Sequence, residues 1–225
     1  MLEILRQDKD SKVLVVTPLL PTHSISKITK KTIKRNDTPI TWISFSSNSN
    51  IPTNTQNGMN EYGLKHKLPQ FIFMLDNDIE LGRHMIDRMV NKLEGTPDYI
   101  AYCYCSFEFK GFINRTFSAI NFDGTKLLQH NYISSNSLIK LSHLNKIDGL
   151  VTDAIYTRLL DYVLWLKFLK EGFIGIPCPE AHFIAYSTED SISAGSINDY
   201  NIKYKRVYYD FISPIIEKFS KKSSS

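Results

Sequence analysis

QFIFMLDND, residues Gln70–Asp78, is an apolar run that ends in two carboxylates one residue apart. A short, continuous apolar run of this kind is typical of a strand that is buried on both faces of a sheet. Asp76, Asn77 and Asp78 follow the run directly. Because open α/β sheets bind their ligands at the carboxyl ends of the strands, these three side chains are expected at the rim of a binding crevice.

Two earlier runs have the same character and indicate further strands. KVLVVTP (Lys12–Pro18) is rich in β-branched residues, and PITWISF (Pro39–Phe45) is rich in strand formers. Between them, Ser24–Arg35 places isoleucines near helical spacing among lysines, which predicts an amphipathic helix with a basic solvent face. A polar loop is expected over SSNSNIPTNTQNG (46–58), and a short helix over Met59–His66.

A helix over Gly82–Leu93 and a strand over Asp98–Phe109 complete an alternating order of strands and helices. That order favours an α/β fold: a single Rossmann-like, three-layer α/β/α domain with a mostly parallel central sheet, over residues 1–225. The second half is less regular. Its expected elements are a loop or short hairpin over Gly111–Gly124, a helix over Thr152–Glu171 closed by Gly172, short strands over Phe173–Ile176 and His182–Tyr186, and a helix over Tyr200–Phe219 that Pro214 crosses.

Composition excludes two classes of protein. The chain has 225 residues, of which 42% are hydrophobic. A compact chain of this length removes roughly 70–75% of its extended surface from water, so disorder is excluded as the main state. The 27 Lys and Arg exceed the 23 Asp and Glu by four, which is too small and too dispersed an excess for a nucleic-acid binder.

The sequence also bears on location. It has no uninterrupted apolar run of the roughly 18 residues that a spanning helix needs, and Met1–Ser11 is too charged for a secretory signal. Cys103, Cys105 and Cys178 form an odd set, which fits a reducing compartment. We therefore expect a cytoplasmic protein. The basic end, Glu217–Ser225, is either a frayed terminus or a peripheral membrane contact, and 220–225 forms a polar tail.

The Asp76-Asn77-Asp78 triplet has two interpretations. Carboxylates one residue apart can converge on a hard divalent cation whose remaining positions are filled by diphosphate oxygens. Asp and Asn also form turns through local hydrogen bonds, with no ligand involved. The buried strand before the triplet favours the metal site.

Several segments, taken in order, resemble the family 2 glycosyltransferases of GT-A fold. They are KVLVVTP, then NGMNEYGLKHKLPQFIFMLDND (57–78), then LLDYVLWLKFLKEGF (159–173). Between them, YISSNSLIKLSHLNKIDGLVTD (132–153) resembles the acceptor-side stretch of those enzymes, and YSTEDSIS (186–193) resembles a segment that closes many such domains. The resemblance covers 12–193 and implies a nucleotide-sugar half over 12–109 and an acceptor half over 110–219.

The resemblance implies roles for the first carboxylates. Asp76 and Asp78 would hold Mn²⁺ or Mg²⁺ against the diphosphate of a nucleotide sugar, with Asp78 the more direct ligand, Asp76 also near the ribose, and Asn77 between them. His182 matches a histidine that related enzymes sometimes use as a third metal contact. A lone histidine is also common as an ordinary hydrogen-bonded residue.

Further donor contacts follow from the same resemblance. Thr17 and Pro18 match the place where the family's backbone touches the nucleoside. Ser46 and Ser47 stand where the family usually has a carboxylate that reads the nucleobase. Neutral hydrogen-bonding groups can still contact a base, so the nucleotide identity is less defined.

By the same resemblance, Asp161 is the general base. A sugar hydroxyl is a poor nucleophile, so a carboxylate must accept its proton as the new bond forms. The alternative is that Asp161 caps the helix that follows it. The family's acidic residues immediately before and two positions after the base are Leu160 and Val163 here.

The leading hypothesis is a metal-dependent glycosyltransferase. It would move a sugar from a nucleotide-diphosphate donor, UDP-linked by expectation, to a hydroxyl of a glycan or lipid-linked acceptor, with inversion. Two alternatives stand. The lost acidic residues also suit a catalytically silent glycan-binding module of the same fold. A sugar-phosphate nucleotidylyltransferase shares the sheet and the metal, but TPLLPTHS (17–24) lacks its Gly-rich, Arg-containing loop.

Overall fold

The computed structural model describes residues 1–112, 114–187 and 197–222. Its strands belong to one nine-stranded mixed sheet. The strands are β1 (Leu2–Gln7), β2 (Val13–Leu19), β3 (Ile40–Ser46), β4 (Phe71–Met74), β5 (Ile79–Leu81), β6 (Ile100–Gly111), β7 (Arg115–Phe117), β8 (Leu138–Lys140) and β9 (Ile174–Ser187).

The prediction of a mostly parallel sheet is wrong. The strand order is β1-β3-β2-β4-β8-β6-β9-β5, with β7 added to β6. Only β2–β3, β2–β4 and β6–β9 pair in parallel, whereas β1–β3, β4–β8, β6–β8, β6–β7 and β5–β9 are antiparallel. An apolar run reports burial on two faces but not strand direction, so the sequence pattern could not distinguish the two arrangements.

The sheet curls around one end. β4 and β5 are consecutive in the chain, yet β8, β6 and β9 lie between them in the sheet. The five steps from Met74 to Ile79 span at most about 18 Å, and four strand spacings across a flat sheet need about 19 Å. The sheet therefore bends to bring β5 back towards the end of β4, which places Asp76 to Asp78 inside the curve.

Helices cover both faces of the sheet, so the three-layer arrangement is present. Side chains at even positions of β2, such as Leu14 and Val16, join one core, and those at odd positions, such as Val13 and Val15, join the other. The helices are α1 (Lys27–Thr32), α2 (Ile51–Gly63), α3 (Met85–Leu93), α4 (Gly124–Gln129), α5 (Leu141–Lys146), α6 (Leu160–Lys170), α7 (Ile197–Val207) and α8 (Ser213–Lys222).

Helix α2 corrects the predicted loop over 46–58. The Asn50 side chain accepts a hydrogen bond from the Thr53 N–H, and Pro52 lies in the first turn, where its missing N–H has no cost. The helix consequently begins at Ile51 rather than Met59. Asparagine, serine and proline are common at the start of a helix as well as in loops, so the polar composition of this segment does not distinguish the two structures.

The C-terminal half also differs in detail. The two predicted short strands are one strand, β9, whose pairing with β6 shifts register between Cys105 and Ser106. The predicted closing Gly172 has a φ of +81°, as a left-handed helix cap requires. Between α7 and α8 the backbone forms one π-helical stretch, Tyr208–Ile212. The YSTEDSIS segment from residue 188 onwards, and tail residues 223–225, lie outside the described residues.

Within the described residues, no helix is long and apolar enough to cross a lipid bilayer. Cys103, Cys105 and Cys178 are all buried and free.

Candidate active site

A cleft of about 820 Å³ opens at the carboxyl ends of β2 and β4, inside the curve of the sheet. Chain segments from both halves of the sequence form its walls. The described side chains that line it include Pro18, His23, Asp76, Asn77, Asp78, Phe107, Asn131, Ser135, Asn136, Arg158, Asp161, Tyr186 and Tyr200.

Asp76 is held in place by the loop before β8. Its Oδ2 accepts hydrogen bonds from Asn136 Nδ2 at 2.8 Å and from Ser135 Oγ at 3.3 Å. The Asp76 N–H donates in turn to Asn136 Oδ1 at 3.1 Å. Burial raises the pKa of Asp76, and the two donors offset part of that rise. Asn136 is itself buried, so Asp76 is positioned by a rigid partner.

Asn77 points away from this network and fixes the loop to α1. Its Nδ2 donates to the Ser24 carbonyl at 3.1 Å, and its own carbonyl accepts from the Ser26 N–H at 2.8 Å. Thr29 Oγ1 donates to the Ile79 carbonyl, just after the triplet. Asn77 therefore sets the direction of the chain between the two carboxylates.

Asp78 is the less restrained carboxylate of the pair. No hydrogen bond from another described residue reaches its side chain. It contacts solvent because the cleft is open, but protein atoms also crowd around it. This desolvation raises the pKa of Asp78 to about 6, the negative charge of Asp76 adds to the rise, and His23 opposes it.

Asp161 enters the same cleft from the first turn of α6. Its Oδ1 accepts a hydrogen bond from the Tyr162 N–H at 2.8 Å, which satisfies one of the N–H groups that have no partner within the first turn of the helix. Burial raises the pKa of Asp161 to about 6, hydrogen bonds to the Tyr162 N–H and Asn131 lower it, and the charge of Asp76 raises it. The helix begins at Leu160, with Leu159 at the capping position. Asp161 is therefore inside the helix rather than its cap.

The three carboxylates share one chemical property. Burial disfavours the ionised form of all three, and the charge of Asp76 adds to this for Asp78 and Asp161; a bound cation relieves both effects. Carboxylate oxygens are the ligands that Mg²⁺ and Mn²⁺ prefer. Asp78 fits a metal ligand best, because no described residue donates a hydrogen bond to its side chain. The described donors to Asp76 bond its Oδ2, and its Oδ1 could serve as a second ligand.

Of the other residues predicted to contact the donor, one lines the cleft and three do not. Pro18 lines the cleft beside the carboxylates. Thr17, Ser46 and Ser47 are absent from the described lining. The Thr17 hydroxyl accepts the indole N–H of Trp42 at 3.0 Å and is fully buried, and the Ser47 hydroxyl donates to Asn54.

His182 is not brought together with Asp76 and Asp78. It lies on β9 opposite Gly82, whose N–H donates to the His182 carbonyl at 2.9 Å. A Cβ at Gly82 would come within 2.8 Å of the His182 ring, so the ring packs against that glycine. His182 is not among the described residues that line the cleft, whereas its neighbour Phe183 is.

One different group offers three metal-ligating atoms. Among the described residues, only Asp37, His84 and Asp87 place such atoms within 4.8 Å of one another. The Asp87 carboxylate already accepts the Asp37 and Thr38 N–H groups and contacts His84 Nδ1 at 2.9 Å. This cluster joins the start of α3 to the loop before β3.

Sequence reasoning missed several residues of the cleft. Asn136 and Ser135 position Asp76, and Asn131 contacts Asp161. Arg158 and Tyr200 form another wall, with the guanidinium 5.3 Å from the tyrosine ring centre. The polar run YISSNS offered a signal, because asparagines and serines between apolar residues often satisfy buried groups.

No protein-family model and no curated protein sequence matches this chain. Solved structures of nucleotide-sugar glycosyltransferases share its fold. S. aureus TarS 1-349 in complex with UDP-GlcNAc aligns with a TM-score of 0.52 and 9% identity, over 88% of this chain and 66% of that one. The Pyrobaculum calidifontis mannosyltransferase PcManGT, in complex with GDP-Man and Mn²⁺, aligns with a TM-score of 0.53 and 13% identity, over 89% of this chain and 61% of that one.

At such identities the similarity defines the fold class and no more. This chain spans 66% of the length of the TarS fragment and 61% of the length of PcManGT.

Proposed function

We propose that this protein is a metal-dependent glycosyltransferase that uses a nucleotide-diphosphate sugar, UDP-linked by expectation, and transfers the sugar with inversion to a hydroxyl of a glycan or lipid-linked acceptor. One observation carries the proposal. Asp76 and Asp78, from the loop after β4, and Asp161, from the distant helix α6, line one cleft, and the pKa of each is raised. Perturbed titratable groups that meet in a cleft are typical of functional sites.

The donor would occupy the side of the cleft between β2 and β4. Asp78 would be the direct ligand of Mn²⁺ or Mg²⁺, and Asp76, oriented by Asn136, would support it. The metal supplies positive charge that stabilises the departing nucleotide diphosphate. Pro18 would contact the nucleoside; its place in the lining of the same cleft supports this role.

Asp161 would accept the proton of the acceptor hydroxyl. A base works best when its pKa lies near the working pH, and burial raises the pKa of Asp161 to about 6. In that state it is mostly ionised at neutral pH and remains basic enough to take a proton. Asp161, at the start of α6, lines the same cleft as the carboxylates after β4, which supports its role in attack on a sugar bound there.

Isothermal titration calorimetry with UDP- and GDP-sugars, with and without Mn²⁺, tests the donor site. The wild-type protein should bind one donor class in a Mn²⁺-dependent manner, and Asp78→Ala should abolish the Mn²⁺-dependent part. Asp37→Ala is the matched control, because Asp37 belongs to the other group of metal-ligating residues and is exposed. Unchanged binding in Asp78→Ala, or loss in Asp37→Ala, would contradict the metal assignment.

A silent glycan-binding module of the same fold is the second candidate. Leu160 and Val163, which stand where related enzymes have acidic residues, are buried in the core and contribute no charge to the cleft. Slow Mn²⁺-dependent hydrolysis of a bound nucleotide sugar separates the two. An enzyme should release free sugar and Asp161→Asn should change that rate, whereas a module should release none from any donor.

A further inference from the structure

The C-terminal helices α7 and α8 have an inner face that packs on the protein core. Val207, Ile212 and Ile215 are fully or almost fully buried in the same cluster as α6. Tyr204 stacks on Tyr162 with ring centres 6.2 Å apart, next to Asp161. Because both helices use one side for this core, their other sides point away from it.

The outer sides of these helices carry large apolar residues in contact with water. Ile202 on α7 and Tyr209 just beyond its end are each 60% exposed. Five of the eleven exposed large apolar side chains in the described chain lie between residues 202 and 219, and they are Ile202, Tyr208, Tyr209, Ile216 and Phe219. Single exposed apolar residues are ordinary, but a concentration of them marks an interaction surface.

Basic residues lie among these apolar ones. The sequence 197–222 contains six Lys or Arg and three Asp or Glu, a net charge of +3 out of +4 for the whole chain. Lys205 and Arg206 stand between Ile202 and Tyr209 on the exposed side of α7. Two of the acids, Asp199 and Asp210, form ion pairs with basic residues of the same helical segment.

We infer that the outer face of residues 202–209, defined by Ile202, Lys205 and Tyr209, docks on an anionic phospholipid membrane. Helices that lie in a membrane interface combine apolar and aromatic side chains with lysine and arginine, and the basic groups are drawn to anionic lipid. Tyrosine suits this position because its ring enters the interface while its hydroxyl stays in water. The charge of the segment distinguishes this occupant from a second copy of the same face, which would repel it.

Docking would bring the cleft close to the membrane surface. The inner side of α7 carries Tyr200, which lines the cleft, and Asp199 pairs with Arg158 in its wall. Helix α7 thus has the membrane on one side and the cleft on the other. The binding event itself does not require sugar transfer, so its test is independent of the proposed function.

Vesicle co-sedimentation of the purified protein tests the inference. Binding is expected to vesicles of equimolar phosphatidylglycerol and phosphatidylcholine, to weaken as salt rises, and to be weak on pure phosphatidylcholine. The double variant Ile202→Glu, Tyr209→Glu should lose roughly tenfold or more in partitioning, because it removes apolar contact and adds repulsion. Leu64→Glu is the matched control, since Leu64 is 85% exposed just after α2 and its replacement should leave partitioning unchanged.

Two results would overturn the inference. One is equal sedimentation of the double variant and wild type with anionic vesicles. The other is absence of wild-type vesicle binding. If light scattering then shows a dimer that the double variant abolishes, the face belongs to a contact between two copies of the protein. A thermal melt of each variant confirms that it is folded. Lys205→Gln is a milder change that removes one positive charge and should reduce binding about fivefold.

Discussion

Replacing Asp161 with asparagine is expected to stabilise the ligand-free protein at neutral pH while it removes sugar transfer. The native environment disfavours the ionised carboxylate, since burial raises its pKa to about 6 from an ordinary 3.8. Asparagine has the same shape and no charge. Its Oδ1 can still accept the Tyr162 N–H that Asp161 binds at 2.8 Å.

The magnitude follows from the pKa difference. At about 1.4 kcal/mol per pH unit, an ordinary value of 3.8 and a native value of about 6 correspond to about 3 kcal/mol at neutral pH. The amide must also be partly desolvated, which leaves a gain of about 1.5 kcal/mol. For a chain of this size we expect a rise in Tm of about 3–6 °C.

The sign of the pH dependence is defined. A carboxyl whose pKa is raised in the native state binds protons more tightly there, so wild-type stability falls as pH rises from about 4 through about 6. The asparagine variant lacks this loss. Below about pH 4 the charge penalty is absent and only the amide cost remains, so the variant should melt about 3–6 °C below wild type. The difference in Tm should change sign between about pH 4 and 6 and level off above that range.

Thermal unfolding followed by circular dichroism across this pH range measures the effect. Asp153→Asn is the matched control, because Asp153 is an exposed carboxylate in the same region that caps a 3₁₀ turn, and asparagine caps equally well. Its Tm should match wild type at each pH. A destabilised Asp161→Asn at neutral pH, or a difference in Tm that does not change with pH, would refute the reasoning.

Three further expectations can be measured on purified variants. Tyr102→Phe should raise the free energy of unfolding by about 1 kcal/mol, because no described residue forms a hydrogen bond with the buried Tyr102 hydroxyl. Tyr104→Phe should lower the free energy of unfolding by about as much, because it removes a 2.6 Å hydrogen bond to the Ile120 carbonyl. Equal effects of the two substitutions in urea melts would count against this. Gly175→Ala should lose at least about 2 kcal/mol, since its Cβ would lie 2.2 Å from the Tyr102 ring, and a wild-type melt would exclude that packing. Asn136→Ala should weaken Mn²⁺ binding roughly tenfold by calorimetry, because it releases Asp76, and an unchanged affinity would show that Asp76 needs no support.

The strands that are buried along almost their whole length could be predicted from the sequence. The runs that form β2, β3 and β4 are predominantly apolar and are buried at nearly every position, as strands covered on both faces require. β1 was missed because LEILRQ is polar at several positions and lies at the edge of the sheet. The antiparallel entry of β8 depends on contacts with β4 and β6 that a local pattern does not contain.

The site divides in the same way. Asp76 and Asp78 follow a buried strand, so their place at its carboxyl end could be predicted from the sequence. Their partner Asn136 lies 60 residues away from Asp76, and only the curled sheet brings the two together. The position of His182 depends on the register shift in the β6–β9 pairing, and the local sequence pattern does not predict that shift.

Crystals of the wild-type protein grown with Mn²⁺ and a nucleoside diphosphate provide the most direct test, by anomalous diffraction at the manganese edge. The proposal requires a manganese peak bonded to the Asp78 carboxylate, with the diphosphate on its other side and the nucleoside near Pro18. A peak at Asp37, His84 and Asp87, or a nucleotide bound without metal outside the cleft, would contradict it.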